Sequence, residues 1–259
     1  MKLVQADLSQ LATKRRGLSS STAAATARTA APLEAVSKLM GNNFLGPAQW
    51  KSAFNVAVGV VPPLPASLTK ALLESACTIE PGKRVKDTHI LVLVPATVNG
   101  EPYTPLKLDA MCEGNEGSGD ALIDPRWTDW KDFPFASKSL PESRWVLMPR
   151  RDPDPQVIAE EQHFRSKNIS SQAKVHAKFY PEYREVKALE LMTQVVLNDL
   201  VHGEPRLLPD YYLRFDEPNA VGGLVCLGFF DAGGLFVSDA HGDDDFSIVG
   251  WSVARLLGS

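Results

Sequence analysis

The segment from residue 218 to residue 250 lacks Lys, Arg, Glu, Gln, Met and Trp, although Lys and Arg together number 27 in the chain. The residue types that remain there are Gly, Asp, Ser, Ala, Asn, His, Phe, Val, Ile, Leu, Cys and a single Pro. All of these can be encoded by codons that end in a pyrimidine, whereas the missing types other than Arg cannot. This composition indicates a segment shaped at the nucleic-acid level as well as by folding, and it predicts a surface that varies on a constant scaffold.

Cysteine is also scarce. The three cysteines, Cys77, Cys112 and Cys226, are widely spaced and form no C-x-x-C pair. An odd number at such spacing excludes a disulfide framework and the usual zinc motifs, and it fits a reducing compartment. Cys226 lies within an apolar run, where a buried structural thiol is expected.

Long apolar runs and an excess of positive charge are absent as well. No stretch of eighteen apolar residues occurs, and the first residues carry Asp7 where a secretory signal has an apolar segment. The net charge of -4 and pI near 5.8 provide no general attraction to nucleic acid or to an anionic membrane. We expect neither partner, and a location in the cytoplasm or on a virion.

What the chain does contain is 44% apolar residues over 259 positions, enough for a sizeable core. Residues 17–32 are mostly Ser, Thr and Ala, so residues 1–32 are predicted to form a disordered tail. Residues 33–259 are predicted to form a single α+β domain.

Apolar spacing and turn residues predict helices at 33–40, 47–58 (from Pro47), 67–77 (with Ser67 as N-cap), 156–164 and 182–202. Strands are predicted at 89–94, 144–148, 221–230, 235–237 and 248–257, with a tight turn at Asn99-Gly100.

Familiar catalytic motifs are missing. The glycine-rich stretch 113–120 has neither the Lys-Ser/Thr of a phosphate loop nor a G-x-G-x-x-G register, and no G-x-S-x-G elbow occurs. The aromatic pair Trp127 and Trp130 is typical of loop packing, and the five histidines lie in unrelated contexts. No catalytic residue, metal ligand or cofactor is therefore assigned.

Three short motifs resemble, in the right order, the formylglycine-generating-enzyme-like (sulfatase-modifying-factor) domains. The ending 250–256, Gly-Trp-Ser-Val-Ala-Arg-Leu, is similar to their G-F-R-x-A-R terminus. Residues 183–190 are similar to their Y-R-L-P-T-x-x-E-W-E entry through Tyr183, Arg184 and Glu190, without its Pro and Trp. Residues 221–223, Val-Gly-Gly, are similar to their R-G-G-S-W strand, without its Trp.

The resemblance implies a C-type-lectin-like fold, with its core in roughly residues 140–259 and helices packed on short, irregular, mainly antiparallel strands. The same fold is used by the variable proteins of diversity-generating retroelements, in which adenine-directed mutagenesis rewrites codons near the C-terminus. It therefore implies a non-enzymatic ligand-binding protein with a variable surface at 229–247. The candidate ligand-binding residues are Asp231, Phe236, Ser238, Asp239, His241, Asp243, Asp244, Asp245 and Phe246.

The five aspartates between Asp231 and Asp245, with no cation among them, favour a basic protein or a cationic glycan as the ligand. Two other functions stay open. The loop from Asp239 to Asp245 carries carboxylates and an imidazole that suit a metal-dependent enzyme, although the twelve-residue calcium-loop pattern is absent. Alternatively, the chain is a structural protein whose tail mediates assembly. An oxidase of the formylglycine-generating type is disfavoured, because only Cys226 lies near the C-terminus.

Overall fold

The computed structural model describes residues 33–113, 122–126, 128–151, 159–203, 207–208, 210–218, 224–240 and 248–257, and it does not describe the side chains of residues 216, 218, 239 and 240. The predicted tail, residues 1–32, lies outside this set. The chain divides into two compact units, residues 1–39 and 40–259. Within the first unit the described residues, 33–39, are helical.

The described residues form seven α-helices. They are α1 (33–40), α2 (Pro47–Phe54), α3 (Lys70–Glu74), α4 (Val85–Thr88), α5 (Pro105–Glu113), α6 (Ile169–Phe179) and α7 (Ala188–His202). Short 3-10 turns lie at Gly41–Asn43, Asp129–Asp132 and Glu160–Gln162. Along the described part of the chain, no helix is long and apolar enough to cross a membrane.

Eleven strands alternate with these helices in the described residues. They are β1 (Phe44–Leu45), β2 (His89–Val94), β3 (Thr97–Val98), β4 (Glu101–Pro102), β5 (Arg144–Pro149), β6 (Tyr183–Glu185), β7 (Tyr212–Pro218), β8 (Leu224–Asp231), β9 (Gly234–Ala240), β10 (Val249–Trp251) and β11 (Val253–Arg255). A five-stranded sheet has the order β1-β2-β5-β11-β6, a four-stranded sheet has the order β10-β7-β8-β9, and β3 pairs with β4. Most pairs are antiparallel, although β1 with β2 and β10 with β7 are parallel. The α+β class with mainly antiparallel strands is therefore confirmed.

Helix α7 lies between the two larger sheets. It contacts β1 and β2 on one side and β8 on the other, and every residue from Ala188 to Asn198 is buried. A helix buried all round has no need of a polar face, and some of its few polar groups are paired inside the core. Thr193, for example, shares a 2.8 Å hydrogen bond with the Tyr103 hydroxyl.

The C-terminal segment joins the two sheets. Strand β10 belongs to the four-stranded sheet, where Trp251 pairs with Arg214, and β11 belongs to the five-stranded sheet, where Val253 pairs with Glu185. Ser252 lies between them, and its N–H donates to the Arg214 carbonyl at 3.3 Å. The single strand predicted for 248–257 is therefore two strands in two sheets.

Several predicted elements agree with the structure. Strand β2 has the predicted bounds, and the Asn99-Gly100 turn has the two positive φ angles, 51° and 83°, that a primed hairpin turn requires. The helix predicted from Pro47 ends at Phe54, because Asn55 adopts a left-handed φ of 54°. The N-cap of α3 is Thr69 rather than Ser67, since the Thr69 hydroxyl accepts the Leu72 N–H at 3.1 Å.

Other predictions were wrong. Residues 183–185 are strand β6 rather than the start of the long helix, because they pair with β11; the helix begins at Ala188. In the predicted helix 156–164, the described residues contain only a 3-10 turn, and the helix of this region is α6, capped by the Asn168 side chain. Helix α5 and strand β7 are not among the predicted elements.

Candidate functional site

The candidate site is the outer face of the β8–β9 hairpin. Strand β8 pairs with β7 on one side and with β9 on the other, and β9 is the edge of the four-stranded sheet. Side chains alternate between the two faces of a strand, so half of them point away from α7. We call Tyr212, Phe229, Asp231, Phe236 and Ser238 the hairpin surface.

The inner face of this sheet is apolar and buried. Its side chains belong to the main core cluster together with those of α7: Leu213, Phe215, Val225, Leu227, Phe230, Leu235 and Val237. Each of the seven is at most 6% exposed. This packing fixes the hairpin from beneath without using its outer side chains.

A β-bulge gives the hairpin surface its aromatic character. Gly228 pairs with Phe236 and Asp231 pairs with Gly234, so β8 has one more residue than β9 between these pairs. Phe229 takes up the extra residue with a left-handed φ of 46°, and its ring joins the outer face. Strict alternation from Leu227 predicts Phe229 on the inner face; the bulge reverses this and sends Phe230 inward.

The Tyr212 ring contacts both of the other outer aromatic rings. The Tyr212 ring lies 4.6 Å from the Phe229 ring and 5.7 Å from the Phe236 ring, measured between centroids. All three side chains are half-buried, so each keeps part of its surface exposed. Partial burial raises the pKa of the Tyr212 phenol, which therefore stays neutral and able to donate a hydrogen bond.

Gly228 allows the two central strands to approach closely beneath these rings. A Cβ atom at this position would lie 2.1 Å from the Tyr211 carbonyl oxygen. A glycine is thus required here by space, since any side chain would push β8 away from β7.

The turn of the hairpin is held by its own aspartate and by a distant arginine. The Asp231 carboxylate accepts the Gly233 N–H at 2.7 Å. A Cβ on Gly233 would lie 2.7 Å from Nη2 of Arg126, so the guanidinium packs directly over the turn. Segment 218–250 has no cation of its own, and Arg126 supplies one from another part of the chain.

Arg126 is in turn positioned by Asp124. Its Nε and Nη2 donate to the two Asp124 oxygens at 2.9 and 2.7 Å, and its backbone N–H donates to the same carboxylate at 2.9 Å. These bonds hold the pKa of the buried Asp124 carboxyl below its usual range. The Asp124 N–H also donates to the Leu235 carbonyl at 3.0 Å, which ties this loop to the edge of β9.

The structure brings together part of the predicted ligand-binding set. Asp231, Phe236 and Ser238 lie on the outer side of the hairpin, and Asp239 follows in β9 with its backbone paired to Val225. Residues 241–247, which include His241, Asp243, Asp244, Asp245 and Phe246, lie outside the described residues. Phe229 lies within the predicted variable surface 229–247 but is not among the predicted ligand-binding residues, and Tyr212 and Arg126 lie outside that surface. The Tyr211-Tyr212 pair was a signal in the sequence, whereas the bulge and the Arg126 contact had none.

Within the part of the chain that the structure describes, no group of three or more His, Cys, Asp or Glu side chains could hold a metal ion. The loop that the enzyme alternative would use, Asp239 to Asp245, falls mostly outside that part. Cys226 is buried at 2% exposure, as expected for a structural thiol.

Comparison of the chain with protein-family models, with curated proteins and with solved structures found no match.

Proposed function

We propose that this chain is a non-enzymatic binding protein of the diversity-generating-retroelement type, with a C-type-lectin-like fold and a diversified surface on the β8–β9 hairpin. The observation that carries the proposal is the difference in burial between the two faces of the hairpin. Its inward side chains form part of the main core, whereas Phe236 and Ser238 on the opposite side of β9 lie outside the core cluster and are only half-buried. A surface of this kind can change sequence while the fold stays constant.

Two of the family-like motifs are joined in the structure, which supports the proposal. Arg184 makes a bidentate pair with Glu190 at 2.7 and 2.9 Å, and both residues come from the Y-R…E motif. Arg255, from the A-R ending, pairs in register with Tyr183 of that motif. The matched residues thus form one structural unit that anchors the hairpin sheet through β10 and β11.

The hairpin surface suits a protein or glycan ligand. Tyr212, Phe229 and Phe236 supply a rigid aromatic patch, and Ser238 and Asp231 add short polar groups at its border. Antibody loops combine the same two kinds of residue, aromatic anchors and adaptable hydrogen-bonding groups. The aspartates of segment 231–245 favour a ligand with cationic groups, and Arg126 provides a counter-charge at the turn.

The proposal is tested by sequencing the encoding locus and its flanks from several related isolates. We expect a near-copy of the 3′ end of the gene, a reverse transcriptase gene close by, and substitutions at pyrimidine-ending codons where the copy has adenine. The structure sharpens this test within one strand: codons 236 and 238 should vary, whereas codons 235 and 237, whose side chains are in the core, should not. Equal variation at the four codons, or no near-copy, would contradict the proposal.

A further inference from the structure

A cleft lies on the five-stranded sheet, away from the hairpin surface. It has a volume of about 370 Å³, and its lining includes Arg144, Arg184, Arg255, Glu142, Trp145 and the prolines of residues 62–65. Three arginines from three neighbouring strands, β5, β6 and β11, meet there. We call Arg144, Arg184 and Arg255, with the wall formed by 62–65 and Trp145, the arginine cleft.

The charges of the arginine cleft do not balance. Arg144 and Arg184 share a single carboxylate, Glu190, at 2.7 Å each. Glu190 is completely buried, whereas the Arg144 and Arg184 side chains are 38% and 31% exposed. Among the described residues Arg255 makes no ion pair, and its guanidinium lies 5.5 Å from the Tyr183 ring. Three guanidinium groups against one buried carboxylate leave an excess of positive charge, which the exposed Glu142 offsets only in part.

The cleft is also rigid. Glu190 accepts the Lys187 N–H at 2.9 Å in addition to its two arginines, so the carboxylate is fixed at the start of α7. The Tyr183 hydroxyl, 3.5 Å from Arg255 Nη1, is held by a 2.9 Å hydrogen bond to the buried His89 ring. On the opposite wall, Trp145 Nε1 donates to the Pro62 carbonyl at 3.0 Å. Arginines positioned in advance lose little entropy when they bind an anion.

We propose that the arginine cleft binds a small anion that carries carboxylate or phosphate groups. Planar guanidinium forks match both groups. Arg144 approaches Glu190 through its Nε atom, and its side chain lines the cleft together with those of Arg184 and Arg255. The Pro wall and Trp145 limit the ligand to a small molecule of roughly the size of pyrophosphate or citrate. This site is independent of the hairpin surface, and it does not depend on whether that surface is diversified.

The test is isothermal titration calorimetry of the full chain with inorganic phosphate, pyrophosphate and citrate at constant ionic strength. We expect saturable binding of at least one of them; preference for citrate assigns a carboxylate ligand, and preference for pyrophosphate or phosphate assigns a phosphate ligand. Arg255→Gln removes a cleft cation without stranding a buried carboxylate, and it should weaken binding about tenfold. Glu142→Gln removes the exposed carboxylate at the cleft and should strengthen binding.

Arg84→Gln is the matched control, because Arg84 is exposed and does not line the cleft. It removes the same charge and should leave the affinity unchanged. Circular dichroism checks that each variant is folded; if Arg255→Gln is not, Arg255→Lys and Glu142→Gln carry the comparison. Absence of saturable binding of all three anions to the unchanged chain up to about 10 mM, or equal losses in Arg255→Gln and Arg84→Gln, overturns the proposal.

Discussion

The five-stranded sheet and the outer face of the four-stranded sheet use their side chains in opposite ways. In β2 all six residues are buried, and the strand reads as an unbroken apolar run after His89. In β9 the inward Leu235 and Val237 are buried, while Phe236 and Ser238, which alternate with them, are half-buried. Covered on both faces, β2 has no position that is free to change. The outer face of the hairpin is half-buried at Phe229, Phe236 and Ser238, although Cys226, which pairs with Ser238, is buried.

The largest loss of stability should follow from breaking the ion pairs between Glu190 and the arginines of the five-stranded sheet. Glu190 is fully buried and is the carboxylate with which both Arg144 and Arg184 pair. Glu190→Gln removes that charge and leaves two arginines without a carboxylate, which should lower the free energy of unfolding by about 3 to 5 kcal/mol. Urea denaturation measures the loss. Glu142→Gln, at the exposed rim of the same cleft, is the control and should change stability by less than about 0.5 kcal/mol.

A buried histidine in the same sheet makes the free energy of unfolding depend on pH. His89 lies between the Thr88 and Tyr183 hydroxyls, at 2.8 and 2.9 Å, and burial lowers its pKa from 6.5 to about 3. The folded chain therefore keeps this ring neutral where the unfolded chain protonates it. His89 therefore does not reduce the free energy of unfolding above pH 6.5. As the pH falls from 6.5 towards 3, it lowers the free energy of unfolding by up to about 1.4 kcal/mol per pH unit.

The measurement is urea denaturation of the wild type and of His89→Gln at several pH values. Glu80 also has a lowered pKa, through Arg151 and Lys83, and adds to the loss of stability in acid in both proteins. The difference between the two curves isolates His89. A difference that stays constant from pH 7 to about pH 4.5 would show that the ring titrates normally in the folded state.

Two glycines of the hairpin, Gly228 and Gly233, test whether close packing restricts substitution on the outer face of this sheet. Gly228→Ala would place a Cβ 2.1 Å from the Tyr211 carbonyl oxygen, a backbone atom that cannot move alone. We expect a loss of about 1 to 3 kcal/mol, as for overpacked cores. Gly233→Ala meets the ends of two side chains, the Arg126 guanidinium at 2.7 Å and the Asp231 carboxylate at 3.1 Å, which can shift more easily than backbone, and it should cost less. Thermal unfolding compares the two; equal losses would mean that the strands separate more easily than their packing indicates.

An element or site of these two sheets can be predicted from the sequence when the contacts that form it are between residues close together in the chain. The run 89–94 predicts β2 because a strand buried on both faces needs apolar residues throughout, and the gap in composition at 218–250 locates the hairpin. The bulge at Phe229 cannot be predicted, since it depends on how β8 aligns with two partners. Arg126 reaches the hairpin from a distant loop, and the meeting of Arg144, Arg184 and Arg255 depends on the strand order. Patterns thus identify elements, while sites formed between elements require the fold.

The smallest effect should come from the outward residues themselves, and this is the sharpest test of the comparison. Ser238→Ala, half-exposed in β9, should change the free energy of unfolding by less than about 0.5 kcal/mol. Phe236→Ala removes one contact of the aromatic group, 5.7 Å from Tyr212, and should cost about 1 kcal/mol. Leu227→Ala, which empties a buried position on the inner face of the same sheet, should cost about 2 to 5 kcal/mol. If the outward changes destabilise the chain as much as Leu227→Ala, the hairpin surface is part of the core and cannot be free to diversify.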